Sequence, residues 1–198
     1  MRRLEAINTL SNPAEPASPA TRLSNASIRA VNDGALAEPE EPGSPTNARV
    51  ARVGAKELVS RAQRAAEAHE LWPELVCAIV EQESAWNPWA LRYEPAFYES
   101  YIAPQIARGE IADVTESRAR AFSWGLMQVM GQVAREHGFT GALASLCDPA
   151  VGLEIGCRVF VAKLAAAEGN VTRALLLWNG AGNRDYPAAV LARTARYV

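Results

Sequence analysis

Glu83 closes an apolar run, Leu75-Val76-Cys77-Ala78-Ile79-Val80-Glu81-Gln82-Glu83-Ser84, and Trp86-Asn87-Pro88 follows it. Read as a helix, the run sets Leu75, Ile79 and Glu83 at i, i+4 and i+8, on one face. A carboxylate on a buried helix face is costly unless it is paired or protonated. Burial raises its pKa, and a carboxyl that keeps its proton near neutral pH is what general-acid chemistry requires. A Glu at this place can equally be structural, turned to solvent or salt-bridged, and its position alone leaves both readings open.

Three further islands carry residues suited to holding a polar ligand. In Ser123-Trp124-Gly125-Leu126-Met127-Gln128-Val129-Met130, Gly125 lets a neighbouring backbone approach closely and Gln128 brings an amide that both donates and accepts. Leu126 and Met130 are as well explained by a core. In Leu177-Trp178-Asn179-Gly180-Ala181-Gly182-Asn183, a helix ends in a Gly-rich turn. An aromatic followed by Asn supplies a stacking face and an amide, which suits a sugar carrying N-acetyl groups; a plain helix C-cap is the alternative. Arg196-Tyr197-Val198 places a terminal Tyr that either closes over a groove or packs.

The elements that must position these residues are helical. Ala55 to His69 reads as one helix with Leu58, Ala62, Ala65 and Ala66 inward, and Pro73 suits the first residue of the next, which ends near Glu83. Tyr93 to Phe122 reads as a loop with short helices, in which Glu116 and Arg120 form an i,i+4 pair. Ser123 is expected to cap a helix from Trp124 to His137, stopped by Gly138. Pro149 opens a helix through about Ala167 with Leu153, Gly156, Phe160 and Leu164 on one face. Asn170 to Trp178, stopped by Gly180, and Pro187 to Tyr197 follow. No run alternates apolar and polar residues long enough to predict a sheet, so the fold class is all-α.

The 198 residues suit one domain with a tail. Residues 1–54 hold Pro13, Pro16, Pro19, Pro39, Pro42 and Pro45 among Ala, Ser, Asn and Glu, and are expected to form a disordered tail, with the folded domain at 55–198. The N-terminus starts basic but reaches no apolar stretch, so no secretory signal is read, and no run is long and apolar enough to span a bilayer. The formal charge of -2 gives no sign of nucleic-acid binding. Cys77, Cys147 and Cys157 fit no zinc spacing and read as small core residues, with a Cys147–Cys157 bridge left open. His69 and His137 lie on separate helical segments and form no metal pair.

Glu83-Ser84 with Asn87-Pro88, then Gly125-Leu126-Met127-Gln128, then aromatic-Asn-Gly, then Tyr-Val, in this order, resembles the soluble lytic transglycosylase (SLT) domain of the lysozyme-like superfamily, over roughly residues 57–198. Tyr93-Glu94-Pro95 followed by Ser123-Trp124 is most similar to the branch met in phages and phage-like elements. The resemblance implies a lysozyme-like helical fold, peptidoglycan glycan strands as substrate, and no metal or organic cofactor. It implies Glu83 as the single catalytic Glu. It implies Ser123, Gln128 and Met130 as groove-lining residues, Trp178 and Asn179 at the family's usual Tyr-Asn, and Tyr197 as the closing Tyr. The expected reaction cleaves the MurNAc–GlcNAc β-1,4 bond and forms a 1,6-anhydro-MurNAc end.

Departures from the family pattern are visible. Trp178 lacks the phenolic hydroxyl of the usual Tyr, which puts in doubt a hydrogen bond ascribed to it while leaving stacking. Phe122-Ser123-Trp124 replaces a small-residue pair. About forty-five residues separate Glu83 from Gln128, more than in many members, which suits a lid or an extra groove wall. Two alternatives remain. A hydrolytic lysozyme on the same fold would need a second carboxylate, for which Glu94 is better placed than Glu99, Asp113 or Glu116. A non-catalytic glycan-binding part of a virion or secretion apparatus, reached through the N-terminal tail, would have no use for a buried Glu83. The expected place of action is the cell wall or periplasm, by an export route the sequence does not specify.

Overall fold

The computed structural model describes residues 54–180 and 182–198; the expected tail, apart from Gly54, lies outside the described residues. Helix α1 (Ala55–Ala68) buries Leu58, Ala62 and Ala66, one stripe of an otherwise polar helix. Helix α2 (Pro73–Ser84) starts on Pro73, whose missing N–H costs nothing at a first turn. Its residues Leu75 to Val80 are all buried, so α2 is enclosed on every side and lies at the centre of the domain. It ends abruptly: Ala85 and Trp86 both have left-handed backbones, with φ of 48° and 65°. Two consecutive non-glycine residues in that region are unfavourable and must be held by their surroundings.

The remaining long elements wrap this helix. Helix α7 (Pro149–Ala166) is capped by Asp148, whose carboxylate accepts from the Ala150 and Val151 amides. Helix α8 (Val171–Trp178) is capped by Asn170 in the same way through the Arg173 amide, and α9 (Tyr186–Thr194) closes the domain against α2. Phe160 of α7 and Leu175 of α8 are fully buried in the same core as α2. Among the described residues no helix is long and apolar enough to cross a membrane.

The sequence predicts a helix over 124–137 with Ser123 as its cap, and here the structure differs. Residues Leu91–Tyr93 (β1), Phe122–Trp124 (β2) and Val129–Met130 (β3) form a small antiparallel sheet, with Arg92 opposite Ser123 and Ser123 opposite Met130. Only then does helix α6 (Gly131–Glu136) begin, and it ends at Gly138 as expected. The reason is backbone conformation. Gly125 and Gln128 have φ of 66° and 48°, which a helix cannot contain. Leu126 and Met127 are adjacent and both fully buried, a pairing suited to a tight turn wedged into the core. The strands are two or three residues long, too short to leave an alternation in the sequence.

Between β1 and β2 the chain builds a wall with its own apolar centre. Helix α3 (Pro95–Phe97) runs through a wider π-turn (Tyr98–Ile102) into α4 (Ala103–Ala107), and α5 (Val114–Arg120) returns. Ile102, Ile111 and Ala121 are buried beneath Tyr93, Phe97 and Tyr98. The expected Glu116–Arg120 pair is present at 2.9 Å, and Arg135 of α6 joins it at 2.7 Å. With Arg135 as the main cause and Arg120 adding to it, the Glu116 carboxyl is held down at about 2. This network ties the wall to α6.

The three cysteines are free and buried, so the Cys147–Cys157 bridge left open by the sequence is not formed. Burial pushes the Cys77 and Cys157 thiols up to about 12, which leaves them as unreactive core groups.

Candidate active site

Glu83 sits one residue before the end of α2, where the enclosed part of the helix meets a cleft. Two donors converge on one of its oxygens. Trp178, the last residue of α8, donates its indole N–H to Oε1 at 3.0 Å, and Tyr186, the first residue of α9, donates its hydroxyl to the same atom at 2.5 Å. The turn between α8 and α9 thus brings both aromatics to one carboxyl. Trp178 is held edge-on against Phe160, with ring centroids 5.7 Å apart, and Tyr186 is buried. Among the described residues no hydrogen bond reaches Oε2.

These positions fix the electrostatics of the carboxyl. Burial raises the Glu83 pKa above the ordinary range, while the Tyr186 and Trp178 donors and the charge of Arg92 pull it down without cancelling the rise. An oxygen that accepts from two donors is the carbonyl-like one. The proton is then left to Oε2, which has no hydrogen-bond partner among the described residues and is free to donate it. The burial of Tyr186, and then the charge of Glu83, raise the phenol's own pKa, so it stays a donor across the working pH range.

A cleft of about 380 Å³ opens over Glu83. Of the residues singled out from the sequence, Glu83, Glu94, Ser123, Gln128, Met130, Trp178 and Asn179 line it. Their parts differ. Gln128 donates from Nε2 to the Ala90 and Gly125 carbonyls at 3.0 and 2.9 Å and accepts from Ser123 Oγ at 2.8 Å. Its amide is fully engaged by the protein, and Ser123 is buried behind it. The pair locks the β2–β3 turn to the chain just before β1 rather than offering free groups. Among the described residues Asn179 makes one long contact, Nδ2 to the Asn183 carbonyl at 3.4 Å, which leaves its amide oxygen open to a ligand. Glu94 is paired with Arg92 on the neighbouring wall.

Tyr197 does not line the cleft. Its hydroxyl donates to Glu81 Oε2 at 2.6 Å and accepts from Trp86 Nε1 at 2.9 Å, and Arg196 also pairs with Glu81. Burial and the Glu81 bond push its phenol up to about 12. Tyr197 is therefore a latch between the C-terminus and α2. It packs on the left-handed Trp86 and fixes α9, whose first residue is Tyr186.

Tyr186 is the site residue that sequence reasoning missed, because the last helix was started at Pro187, one residue late. The available signal was an aromatic directly before a helix-opening Pro with Val190 four residues on, an inward face shared by both. Trp178, which lacks a phenolic hydroxyl, donates its indole N–H to Glu83.

Tyr186→Phe removes a donor that lowers the Glu83 pKa, so the pKa should rise further. A general acid loses activity as pH rises through its pKa, so the alkaline limb of the pH–rate profile should move to higher pH. The maximal rate should fall roughly tenfold, the size of a lost hydrogen bond to an ionisable group. An alkaline limb that stays in place in the folded variant would show that Tyr186 does not act on Glu83.

A family model, that of the transglycosylase SLT domain, matches residues 60–188. Comparison with curated proteins and with solved structures gave no match. The matched span runs from within α1 to the start of α9 and contains Glu83, both of its donors and the β2–β3 turn, more than half of the chain. On that span, the chain belongs to the transglycosylase SLT domain family.

Proposed function

We propose that the protein is a peptidoglycan lytic transglycosylase that cleaves the MurNAc–GlcNAc β-1,4 bond and leaves a 1,6-anhydro-MurNAc end. The family is one of lytic transglycosylase type acting on peptidoglycan, and so on the cell wall. The observation that supports the finer reading is Glu83: one half-buried carboxyl, raised in pKa, with Oε1 held by two donors and Oε2 left for the proton.

In this reading Oε2 protonates the glycosidic oxygen as the C1–O bond breaks, and GlcNAc leaves with its 4-hydroxyl restored. The MurNAc N-acetyl group shields the cation that develops at C1. The Glu83 carboxylate then takes the proton of the MurNAc C6 hydroxyl, and O6 bonds to C1. Glu83 ends as it began, protonated, and no water enters the balance. One carboxyl serves as acid and then base, where most glycosidases use two. Asn179, whose amide makes one long contact among the described residues, suits the N-acetyl groups; Met130 and the Trp178 ring suit the sugar faces.

Hydrolysis is the competing reading, and Glu94 is the carboxylate it would use, since it lines the same cleft. The Arg92 pair supports transglycosylation over it, because the guanidinium occupies the group that would have to activate water. Mass spectrometry of peptidoglycan digests decides: an anhydro end is expected, and a reducible end would mean hydrolysis. Glu94→Gln should lower the rate by less than about tenfold and leave the product unchanged, as for a residue that orders a wall. A loss on the order of a hundredfold, the size of a general base, would make Glu94 catalytic and sink the transglycosylase assignment.

A further inference from the structure

Four side chains that carry charge in their ionised forms line the cleft: Glu83, Arg92, Glu94 and Lys163. Arg92 of β1 and Glu94 just after it neutralise one another. Glu83 is uncharged while it holds its proton. Lys163 stands apart. It lies on α7, four residues after Val159, so both side chains face the cleft from one side of that helix. The same cleft is lined by the apolar side chains of Val133, Val159 and Leu177. Among the described residues Lys163 forms no ion pair. A half-buried ammonium with no ion pair within the described residues is left to solvent or to an anion from outside.

Resting on the reading above, the substrate alternates a sugar that bears carboxylates, MurNAc, with one that bears none. We propose that Lys163 binds a carboxylate carried by MurNAc and thereby sets the register of the strand in the cleft. Because the two sugars alternate, fixing the identity of one subsite fixes all of them. It then decides which of the two kinds of β-1,4 bond lies over Glu83. A carboxylate of this kind comes from the lactyl group of a strand without peptides or from the stem peptide of an intact one. Both offer the same charge-assisted bond to an ammonium.

The test measures kcat and KM of wild type, Lys163→Gln and Lys163→Arg on intact peptidoglycan and on strands stripped of stems by an amidase, with the sugar at each product end identified. Inhibition by a neutral chitooligosaccharide serves as the charge-free arm. Lys163→Gln should lose about tenfold in kcat/KM on at least one carboxylate-bearing substrate, carried mainly by KM, the size of one hydrogen bond to a charged group. Chitooligosaccharide inhibition should be unchanged within about twofold, and Lys163→Arg should retain most of the wild-type value. Loss confined to stripped strands assigns the lactyl carboxylate, loss confined to intact ones the stem peptide, and loss on both says that either serves. Product ends that switch from MurNAc toward GlcNAc in Lys163→Gln would show the register slipping directly. An unchanged kcat/KM on both substrates overturns the proposal, as does an equal weakening of the neutral inhibitor. Failure of the functional reading itself looks different: wild type would then release no fragments from any strand, or fragments with reducible rather than anhydro ends.

Discussion

Glu83→Gln should abolish nearly all turnover and leave the fold intact. The amide has the shape of the carboxyl, and its oxygen still accepts from Trp178 and Tyr186. What it lacks is an acidic proton at the Oε2 position. A loss of about a hundredfold or more is expected, the usual size of general acid–base catalysis, and more if the same group acts twice. A folded variant that keeps over a tenth of wild-type activity would place the acid elsewhere.

The same substitution makes a stability prediction with a definite sign. The folded-state pKa of Glu83 is raised, so the native protein holds this proton more tightly than the unfolded chain does. The stabilisation that follows is complete below the ordinary Glu range and is lost as pH rises through the raised value. The amide of the variant has no proton to lose there. The melting temperature of Glu83→Gln relative to wild type should therefore climb as pH rises from the ordinary Glu range through the raised value. A gap that stays flat over that range would show that Glu83 titrates in the ordinary range despite its burial.

Gly125→Ala should have the largest effect on the fold. Gly125 has φ of 66°, and a Cβ there would lie 2.3 Å from the Leu146 carbonyl oxygen and 3.2 Å from its carbon. Both are backbone atoms, which cannot rotate away. The left-handed conformation costs an alanine about 1–2 kcal/mol and the overpacking about 1–3 more. In a domain of this size the sum lowers the melting temperature by on the order of 10 °C. Gly138→Ala is the control: φ is 82° but nothing lies within 4 Å, so only the backbone term applies. Equal melting temperatures for the two variants would mean that the β2–β3 turn relaxes away from Leu146. Activity should fall with Gly125→Ala as well, since the turn carries the Gln128 lock behind the cleft.

The elements with a strong local signal were legible in the chain. Helix α2 was set by an unbroken apolar run behind Pro73, α7 by a long apolar stretch behind Pro149, and α8 by Asn170 and Gly180 at its ends. Each of these signals lies within the segment it describes. The helix expected over 124–137 was not such a case. There the outcome depended on Leu146 and Cys147, which press on Gly125, and on Ala90, which receives the Gln128 amide. None of these is close in sequence, and without them Leu126, Met127 and Met130 look like helix periodicity.

The sequence alone determined that this is a helical domain and, through the order of its motifs, pointed to Glu83 at the end of α2 as the candidate acid. Burial of one helix face is a local pattern, and an order of short motifs identifies a family. Only the tertiary structure decided how that acid is held. Trp178 and Tyr186 lie 95 and 103 residues from Glu83 and reach one oxygen because α8 and α9 turn back over the end of α2. The same packing draws Tyr197 away to Glu81, 116 residues from it, and makes it a latch. A hydrogen bond needs its atoms within about 3 Å, and over such separations in sequence only the folded chain sets that distance.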